Sequence, residues 1–293
     1  SGAAVGLPGE SVKSVYLKAR DADARAAFGS VIAFNTEVDA ETAREIMSTF
    51  AECVVAPSYA PGVLDIFNDG ETYKLNKHIR IIRCGAISSL PRFVGDAGPE
   101  HNTMKVLADG SLVVAQPLLT SLHGVGDLVP AEAENKRCGL QKSAVEATEQ
   151  QKRDLVAAWY INLSVRSNGV VIVKDGQTLS VGTGEQDRVG CVELAIFKAY
   201  TKYADTLAFT RHGMTLYELK LKAKEDAEAA EQLAAIEADT QKAKGGLAGT
   251  VLVSDGFFPF RDGVDVCIAQ GVTAIAQPGG SLRDYEVIGA VNE

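Results

Sequence analysis

The sequence predicts an α/β protein, because short apolar runs rich in β-branched residues alternate with helical patterns along most of its 293 residues. Strand, helix and strand follow one another in both halves of the chain, which favours a duplicated fold with units at residues 1–135 and 136–293. The chain is 46% hydrophobic and only 23% charged, so it carries enough apolar side chains for one large core or two ordinary ones.

The composition argues against several classes of function. The net charge is −9, whereas a nucleic-acid-binding protein usually carries an excess of basic residues. No apolar run approaches the length of a membrane span and the first residues lack an export signal, so we expect a cytoplasmic protein with no membrane partner. The cysteines are odd in number and widely spaced, which is typical of reduced core residues. The chain contains neither a Cys-x-x-Cys nor a His-x-Glu pair, so we expect no zinc. The cysteines are Cys53, Cys84, Cys138, Cys191 and Cys267.

In the first half, residues 11–27 carry apolar side chains at the spacing of one helix face, beginning with Val12, Val15 and Tyr16. A strand at 31–34 follows, and Asp39 is suited to cap the next helix at its amino end. The remaining segments of this half are a strand at 53–56, a short helix at 63–67, a strand at 78–84, a hairpin around Asp109-Gly110 and a linker at 124–135.

The second half contains the most informative stretch. A helix at 148–164 precedes an apolar strand at 169–173, and Asp175-Gly176 provides the turn to a returning strand at 178–181. A glycine-bearing loop at 182–188 then opens a helix. Such a loop directs unpaired backbone N–H groups at one point, where an anion or a carbonyl would be stabilised, although most Gly-x-Gly pairs only make a turn. Asn168 and Arg188 would add side-chain donors there.

The rest of the second half contains one charged helical run and two further strands. Residues 217–244 are rich in alanine and in charges of both signs, which is typical of a solvated helix or an exposed excursion. A strand at 250–253, a helix at 263–270 and a strand at 272–276 follow.

A loop at 254–262, Ser-Asp-Gly-Phe-Phe-Pro-Phe-Arg-Asp, lies between a strand and a helix, where α/β proteins place ligands. Its aromatic faces suit a flat heterocycle, and a carboxylate can accept two hydrogen bonds from a pterin or purine. In the alternative interpretation the aromatic residues belong to the core and Arg261 pairs with Asp262. The glycines at 277–284 would let the backbone approach the same ligand closely.

Any histidine is a candidate base, but none lies in a pattern that singles it out. The four are His78, His101, His123 and His212.

Five segments together resemble one family, the AICAR transformylase part of the bifunctional AICAR transformylase/IMP cyclohydrolase enzymes. They are FGSVIAFNTEVDAETA at 28–43, VVAPSY at 54–59, SNGVVIVKDGQTLSVGTGEQDRV at 167–189, SDGFFPFRDGVD at 254–265 and GVTAIAQPGGSLRDYEVI at 271–288. The resemblance covers most of the chain and includes no cyclohydrolase domain.

The resemblance implies duplicated cytidine-deaminase-like units with a three-layer α/β/α architecture, and a homodimer whose active sites lie at the interface. It implies formyl transfer from 10-formyltetrahydrofolate to the amine of the AICAR nucleotide, without zinc. It also leaves room for a potassium ion near Asp255 and the loop before Asn168.

The resemblance assigns site residues by motif. Those implied for the nucleotide are Gly29, Glu52, Asn168 and Arg188, with Asn168 also catalytic. Those implied for the folate are Val189, Phe257, Phe260, Asp262, Ser281 and Leu282.

The sequence departs from the family in three places. A Lys-His pair, the family's proposed acid-base centre, lies just upstream of a segment like SGAAVG, at which this sequence begins. A histidine-rich tail and an early arginine-tyrosine segment are also absent. We therefore expect either a fragment or a member that works without these parts. The alternative function is a noncatalytic nucleotide- and folate-binding core or a dimerisation module. A zinc deaminase is disfavoured because its ligand motifs are missing.

Overall fold

The fold comes from a computed structural model that describes residues 2–85 and 87–293. The helices are α1 Val12–Asp21, α2 Ala24–Ala27, α3 Ala40–Met47, α4 Val63–Asn68, α5 Glu149–Asn162, α6 Arg188–His212, α7 Leu216–Lys222, α8 Ala227–Lys242, α9 Asp262–Gln270 and α10 Asp284–Asn292. The strands are β1 Ser30–Ala33, β2 Ala51–Ala56, β3 Arg80–Arg83, β4 Thr103–Val106, β5 Leu112–Ala115, β6 Glu132–Asn135, β7 Gly139–Lys142, β8 Gly169–Lys174, β9 Gln177–Thr183, β10 Val251–Ser254 and β11 Ala274–Ala276. The predicted α/β class is confirmed.

The chain divides into two compact units. Phe28–Leu128 forms one, called the inserted unit below, and the residues up to Ala27 together with Val129–Glu293 form the other, called the discontinuous unit. The beginning of the chain joins the C-terminal part because it pairs with β9: Thr178 N donates to Ala3 O over 3.0 Å, and Ala3 N donates to Thr178 Oγ1 over 2.9 Å. This division differs from the one predicted from the sequence, with units at residues 1–135 and 136–293. The deaminase-like character of each unit stays a prediction.

The inserted unit is built on a parallel sheet with the order β1-β2-β3. The predicted cap of α3 is confirmed, because the Asp39 carboxylate accepts from Thr42 N over 2.8 Å. Ala43, Ile46 and Met47 form the buried face of α3. The hairpin expected around Asp109-Gly110 is formed by β4 and β5.

The discontinuous unit contains a sheet with the order β11-β10-β8-β9, in which β8 is antiparallel to both of its neighbours. The turn from β8 to β9 lies at Asp175 and Gly176, which have φ of 52° and 73°, as the hairpin prediction required. Val170 and Ile172 pack in a buried cluster with residues of α6, while α5 packs on β8 and β10. Successive strand side chains alternate between faces, and Val171 and Val173 on the other face of β8 are also fully buried, so α5 and α6 cover opposite faces and give three layers.

The helix predicted over 11–27 is two helices. Asp23 interrupts it, because its carboxylate accepts from Ala26 N at 3.4 Å as a cap of α2 and pairs with Lys202 Nζ at 2.9 Å. The linker predicted over 124–135 is also wrong in part, since β6 pairs there with β7.

The charged run at residues 217–244 packs against the rest of its unit and is not an exposed excursion. It is mostly α7 and α8, and Leu219 and Ile236 are fully buried in a cluster that includes Ala208 of α6. Apolar residues on one face of each helix account for this packing, although charges dominate the composition. In the described part of the chain, every helix falls short of the length or the apolarity that a membrane span requires.

Asn76 links three backbone groups beneath the sheet of the inserted unit. Its Nδ2 donates to Met47 O and Thr49 O over 3.0 and 2.7 Å, and its Oδ1 accepts from Ala51 N over 2.9 Å. The side chain is buried, so water cannot take its place as the hydrogen-bond partner of these backbone groups.

We predict that Asn76→Ala lowers the free energy of unfolding by about 3 kcal/mol, because it leaves buried polar groups without partners. Urea unfolding measures the change. The matched control is Asn68→Ala, at an exposed position, which should change the free energy by less than about 0.5 kcal/mol. Equal changes in the two variants would contradict the proposed role of the Asn76 amide.

Candidate functional site

Two of the predicted residues of the discontinuous unit, Asn168 and Arg188, lie where β8 begins, β10 ends and α6 begins. We call Asn168, Gly169, Arg188, Cys191 and Asp255 the Asn168 cluster. The antiparallel register pairs Ser254 with Val170, so the residue after β10 and the residue before β8 are neighbours. Strand pairing therefore brings Asp255 beside Asn168, and Arg188 hydrogen-bonds to Asp255 and to Gly169 O.

Asn168 is held through both its backbone and its side chain. Its N and Nδ2 donate to Glu185 O over 3.3 and 2.8 Å. Its carbonyl oxygen accepts from Gly184 N over 3.0 Å and from the Cys191 thiol over 3.1 Å. None of the described residues donates to Asn168 Oδ1, so a ligand N–H group can use this acceptor. The peptide bond before Asn168 is cis.

Arg188 is a buried cation with a dedicated counter-ion. Its Nη1 donates to Asp255 Oδ1 over 2.5 Å and its side chain is only 9% exposed. Asp255 Oδ1 also accepts from Gly169 N over 2.8 Å, and Asp255 N donates to Gly169 O over 3.0 Å. The Nε of Arg188 is buried and has no partner among the described residues.

Asp255 is a residue of this site that sequence reasoning linked only to a potassium ion. Burial raises the pKa of its carboxyl group, but hydrogen bonds from Ser167 and Arg188 outweigh burial and bring the pKa below its ordinary value of 3.8. The signal in the sequence was a carboxylate directly after a buried strand.

The donors around Asp255 do not fit a potassium ion. Asp255 Oδ1 is already bonded to Arg188 and Gly169, and a guanidinium beside the carboxylate repels a cation. In the residues that the structure describes, no group of three or more His, Cys, Asp or Glu side chains could hold a metal ion. Asp255 Oδ1 is therefore a poor ligand for the potassium ion that the resemblance leaves room for.

The inserted unit brings Gly29 and Glu52 together. Gly29 has φ of 67° and donates to Phe50 O over 3.0 Å, and a Cβ atom at Gly29 would lie 3.9 Å from Glu52 Cγ. The Glu52 carboxylate pairs with Arg80 Nη1 at 2.8 Å. Sequence reasoning missed Arg80, because strand pairing alone brings β3 beside β2.

The loop Gly256–Arg261, called the aromatic loop below, divides its aromatic residues between core and surface. Phe258 is fully buried, whereas Phe257 and Phe260 are 43% and 49% exposed. The interpretation that all of them are core is therefore wrong for two of the three. Arg261 does not pair with Asp262: it binds Asp265 at 2.9 Å and Glu293 at 2.8 Å.

The remaining predicted folate residues lie around the aromatic loop. Asp262 is exposed and accepts from Gly263 N over 2.8 Å, which leaves its other oxygen for a ligand. A Cβ atom at Gly263 would lie 3.7 Å from Val189 Cγ2 and 2.9 Å from the Phe258 ring, so Val189 adjoins this loop.

The loop Gln277–Arg283, called the glycine loop below, carries Ser281 and Leu282. Leu282 is 97% exposed, and the Arg283 guanidinium lies 5.0 Å from the centre of the Phe260 ring. The glycine loop therefore adjoins the aromatic loop.

Comparison with known proteins decides the family. A family model described as AICARFT/IMPCHase bienzyme matches residues 1–198. The chain belongs to this family. Two similar relatives are both bifunctional purine biosynthesis proteins PurH. That of Aquifex aeolicus (strain VF5) is 33% identical over 286 residues, which is 97% of this chain and 42% of the relative. That of Microcystis aeruginosa (strain NIES-843 / IAM M-2473) is 34% identical over 285 residues, which is again 97% of this chain and 42% of the relative.

A third bifunctional purine biosynthesis protein PurH, from Magnetococcus marinus (strain ATCC BAA-1437 / JCM 17883 / MC-1), is 33% identical over 282 residues. The match covers 96% of this chain and 42% of that relative. The chain thus spans about two fifths of the length of the curated relatives it matches. The resemblance read from the five sequence segments is confirmed.

Of the four histidines of this AICARFT/IMPCHase chain, one belongs to the discontinuous unit, which holds the Asn168 cluster. His212 is the only histidine in that unit and ends α6, whose first residue is Arg188. At about 1.5 Å of rise per residue, the two backbones are about 36 Å apart. The other three histidines belong to the inserted unit.

The cysteines should differ in reactivity. Burial raises the pKa of the Cys191 thiol to about 11 and that of Cys267 to about 12, so both stay protonated near neutral pH. Cys53 is also buried, Cys84 is half-buried and Cys138 is exposed, which bears out the expected core position for three of the five.

We predict that iodoacetamide at pH 8 alkylates Cys138 first, and modifies Cys191 and Cys267 only after urea is added, because their thiols are buried and protonated. Mass spectrometry of the peptides measures the order. Early alkylation of Cys191 in the folded protein would contradict its buried contact with Asn168.

We predict that Asp255→Asn lowers the free energy of unfolding at pH 7, and that its deficit against the wild type shrinks as the pH falls from 5 to 3. A lowered carboxyl pKa adds stability above the ordinary value of 3.8, and this stability is lost as the pH falls through the folded-state value. Urea unfolding across this pH range measures the deficit. A constant deficit would show that the Asp255 charge adds nothing to stability.

Proposed function

We propose that this chain carries the folate-dependent formyltransferase function of de novo purine biosynthesis. The formyl group of 10-formyltetrahydrofolate passes to the amine of AICAR and gives FAICAR. The amine nitrogen attacks the formyl carbon, the bond from that carbon to N10 of the folate breaks, and the amine loses a proton while N10 gains one.

One observation carries this proposal: the Asn168 cluster adjoins the aromatic loop at the first two residues of α6. Arg188 lies in the Asn168 cluster, and a Cβ atom at Gly256 would lie 2.6 Å from its Nη2. A Cβ atom at Gly263 would lie 3.7 Å from Val189 Cγ2 and 2.9 Å from the ring of Phe258 in the aromatic loop. A nucleotide held by the Asn168 cluster and a pterin held by the aromatic loop would meet at the start of one rigid helix, as a transfer between two substrates requires.

Asn168 has the geometry for a catalytic role. Its open Oδ1 can accept a hydrogen bond from the attacking amine and orient the lone pair of the nitrogen toward the formyl carbon. The side chain is fixed by Glu185 O, so no ordering of the asparagine is needed when substrate binds. Gly29 and Glu52 would contact the nucleotide, and Ser281 and Leu282 the folate.

A second function is favoured by the distance between Asn168 and His212. The discontinuous unit holds no histidine beside the Asn168 cluster, so the chain as given can be a nucleotide- and folate-binding core, or a dimerisation module, without an acid-base group of its own. In that case the proton is moved by a group outside this unit. Homodimer formation and a cytoplasmic location belong to the same proposal.

The deciding experiment supplies the purified chain with AICAR and 10-formyltetrahydrofolate and follows the release of tetrahydrofolate. Turnover that falls by about 100-fold or more in Asn168→Ala, and not in the control Asn68→Ala, supports the formyltransferase. Binding of both ligands without turnover supports the binding core. A chain that binds neither ligand would overturn both functions.

A further prediction concerns Asp262, whose exposed carboxylate can accept two hydrogen bonds from the amino and ring N–H groups of a pterin. Asp262→Ala should weaken folate binding by about 10-fold or more and change AICAR binding by less than about 2-fold. Calorimetric titration with each ligand measures this. The control is Asp65→Ala at an exposed position of α4. Equal weakening of both ligands, with folding intact, would count against the assignment.

A further inference from the structure

A single glutamine joins the aromatic loop to the glycine loop. Gln277 Oε1 accepts from Phe258 N over 2.7 Å, and its Nε2 donates to Asp284 Oδ1 over 3.3 Å. One side chain thus contacts the backbone of the first loop and the carboxylate that ends the second. Neither Gln277 nor Asp284 was among the predicted site residues.

Asp284 in turn fixes the course of the glycine loop. Its Oδ2 accepts from Gly280 N over 2.8 Å and from Ser281 N over 3.0 Å. Gly279 and Gly280 have φ of 69° and 95°, which glycine tolerates and which lets these N–H groups converge on one carboxylate. The position of Leu282 therefore depends on Asp284.

The bridge also fixes the aromatic loop at its midpoint. Phe258 is buried and its backbone N–H is bound to Gln277, while the residues on either side of the bonded segment, Phe257 and Phe260, expose their rings. Arg283 adds a second link, because its guanidinium lies over the Phe260 ring. The distance between the exposed rings and Leu282 is thus set by hydrogen bonds and not by packing of the exposed side chains themselves.

We propose that Gln277 and Asp284 are positioning residues, which hold the two loops at the spacing that a flat heterocycle of the folate class requires. This inference rests on the proposed function and deepens it. Preorganised loops bind more tightly because their ordering is not required at binding. A loss of the bridge should therefore weaken binding of the folate and leave the nucleotide and the chemical step unaffected.

The first test is Gln277→Leu, which leaves an apolar side chain in place and removes both side-chain hydrogen bonds. We expect the KM for 10-formyltetrahydrofolate, or the Kd for tetrahydrofolate if the chain does not turn over, to rise roughly 10-fold. The kcat and the KM for AICAR should change by less than about 2-fold. Hydrogen exchange should become faster at the amides of Phe258, Gly280 and Ser281.

The matched control is Gln270→Leu. Gln270 accepts from Tyr200 OH over 2.7 Å at the far end of α9, so this variant also loses a glutamine hydrogen bond in the same unit. It should leave folate affinity and the exchange of the three loop amides unchanged. A general loss of stability would affect both variants alike. The difference between them in folate affinity and in loop exchange therefore reports the loss of the Gln277 hydrogen bonds.

A reversed bridge tests the contact between the two side chains directly. Gln277→Glu alone brings two carboxylates together, and we expect it to weaken folate binding at pH 7 at least as much as Gln277→Leu. In Gln277→Glu with Asp284→Asn, the introduced amide can donate to the introduced carboxylate while its oxygen accepts from Gly280 and Ser281. This double variant should recover most of the folate affinity.

The outcomes separate the inference from the function it rests on. If the wild type binds no folate, the proposed function fails, and faster loop exchange in Gln277→Leu still measures the bridge. If the wild type binds folate and Gln277→Leu binds it equally well, the positioning role is wrong. A double variant no better than Gln277→Glu would also overturn it, because the two side chains would then not act as a pair.

Discussion

The ion pair of Arg188 and Asp255 is the interaction on which the rest of the candidate site depends. Asp255 follows β10, Arg188 opens α6, and both bond to Gly169 at the start of β8, so one pair of charges joins three elements. A buried guanidinium is tolerated only with a counter-ion, so the pairing restricts how the helix can approach the sheet. The backbone of Asn168, directly before Gly169, is positioned as a consequence.

Around this pair, each remaining contact uses a group whose chemistry suits burial. The Cys191 thiol keeps its proton because burial raises its pKa, and it can therefore donate to the Asn168 carbonyl oxygen. Asp187 caps α6 through Gly190 N, which occupies one of the backbone donors that the glycine-bearing loop was expected to offer to a ligand. The ligand-facing polarity of this region thus comes from side chains as well as from the helix end.

Local signals in the sequence predicted local structure well. The cap at Asp39 and the turn at Asp175-Gly176 depend on residues two or three positions apart, so their chemistry is visible in the sequence. The break at Asp23 was missed because one of the two contacts of its carboxylate is with Lys202 of another helix. The buried face of α7 and α8 was missed for a similar reason, since its partner is the end of α6.

The sequence by itself determined the α/β class, most element positions, the family, and the segments from which the site residues come. Only the tertiary structure decided which groups pair: Arg188 with Asp255, Glu52 with Arg80, and Gln277 with Phe258 and Asp284. A cap or a turn is a property of a few consecutive residues. A buried hydrogen bond between distant segments depends on strand order and helix packing, which no local pattern contains.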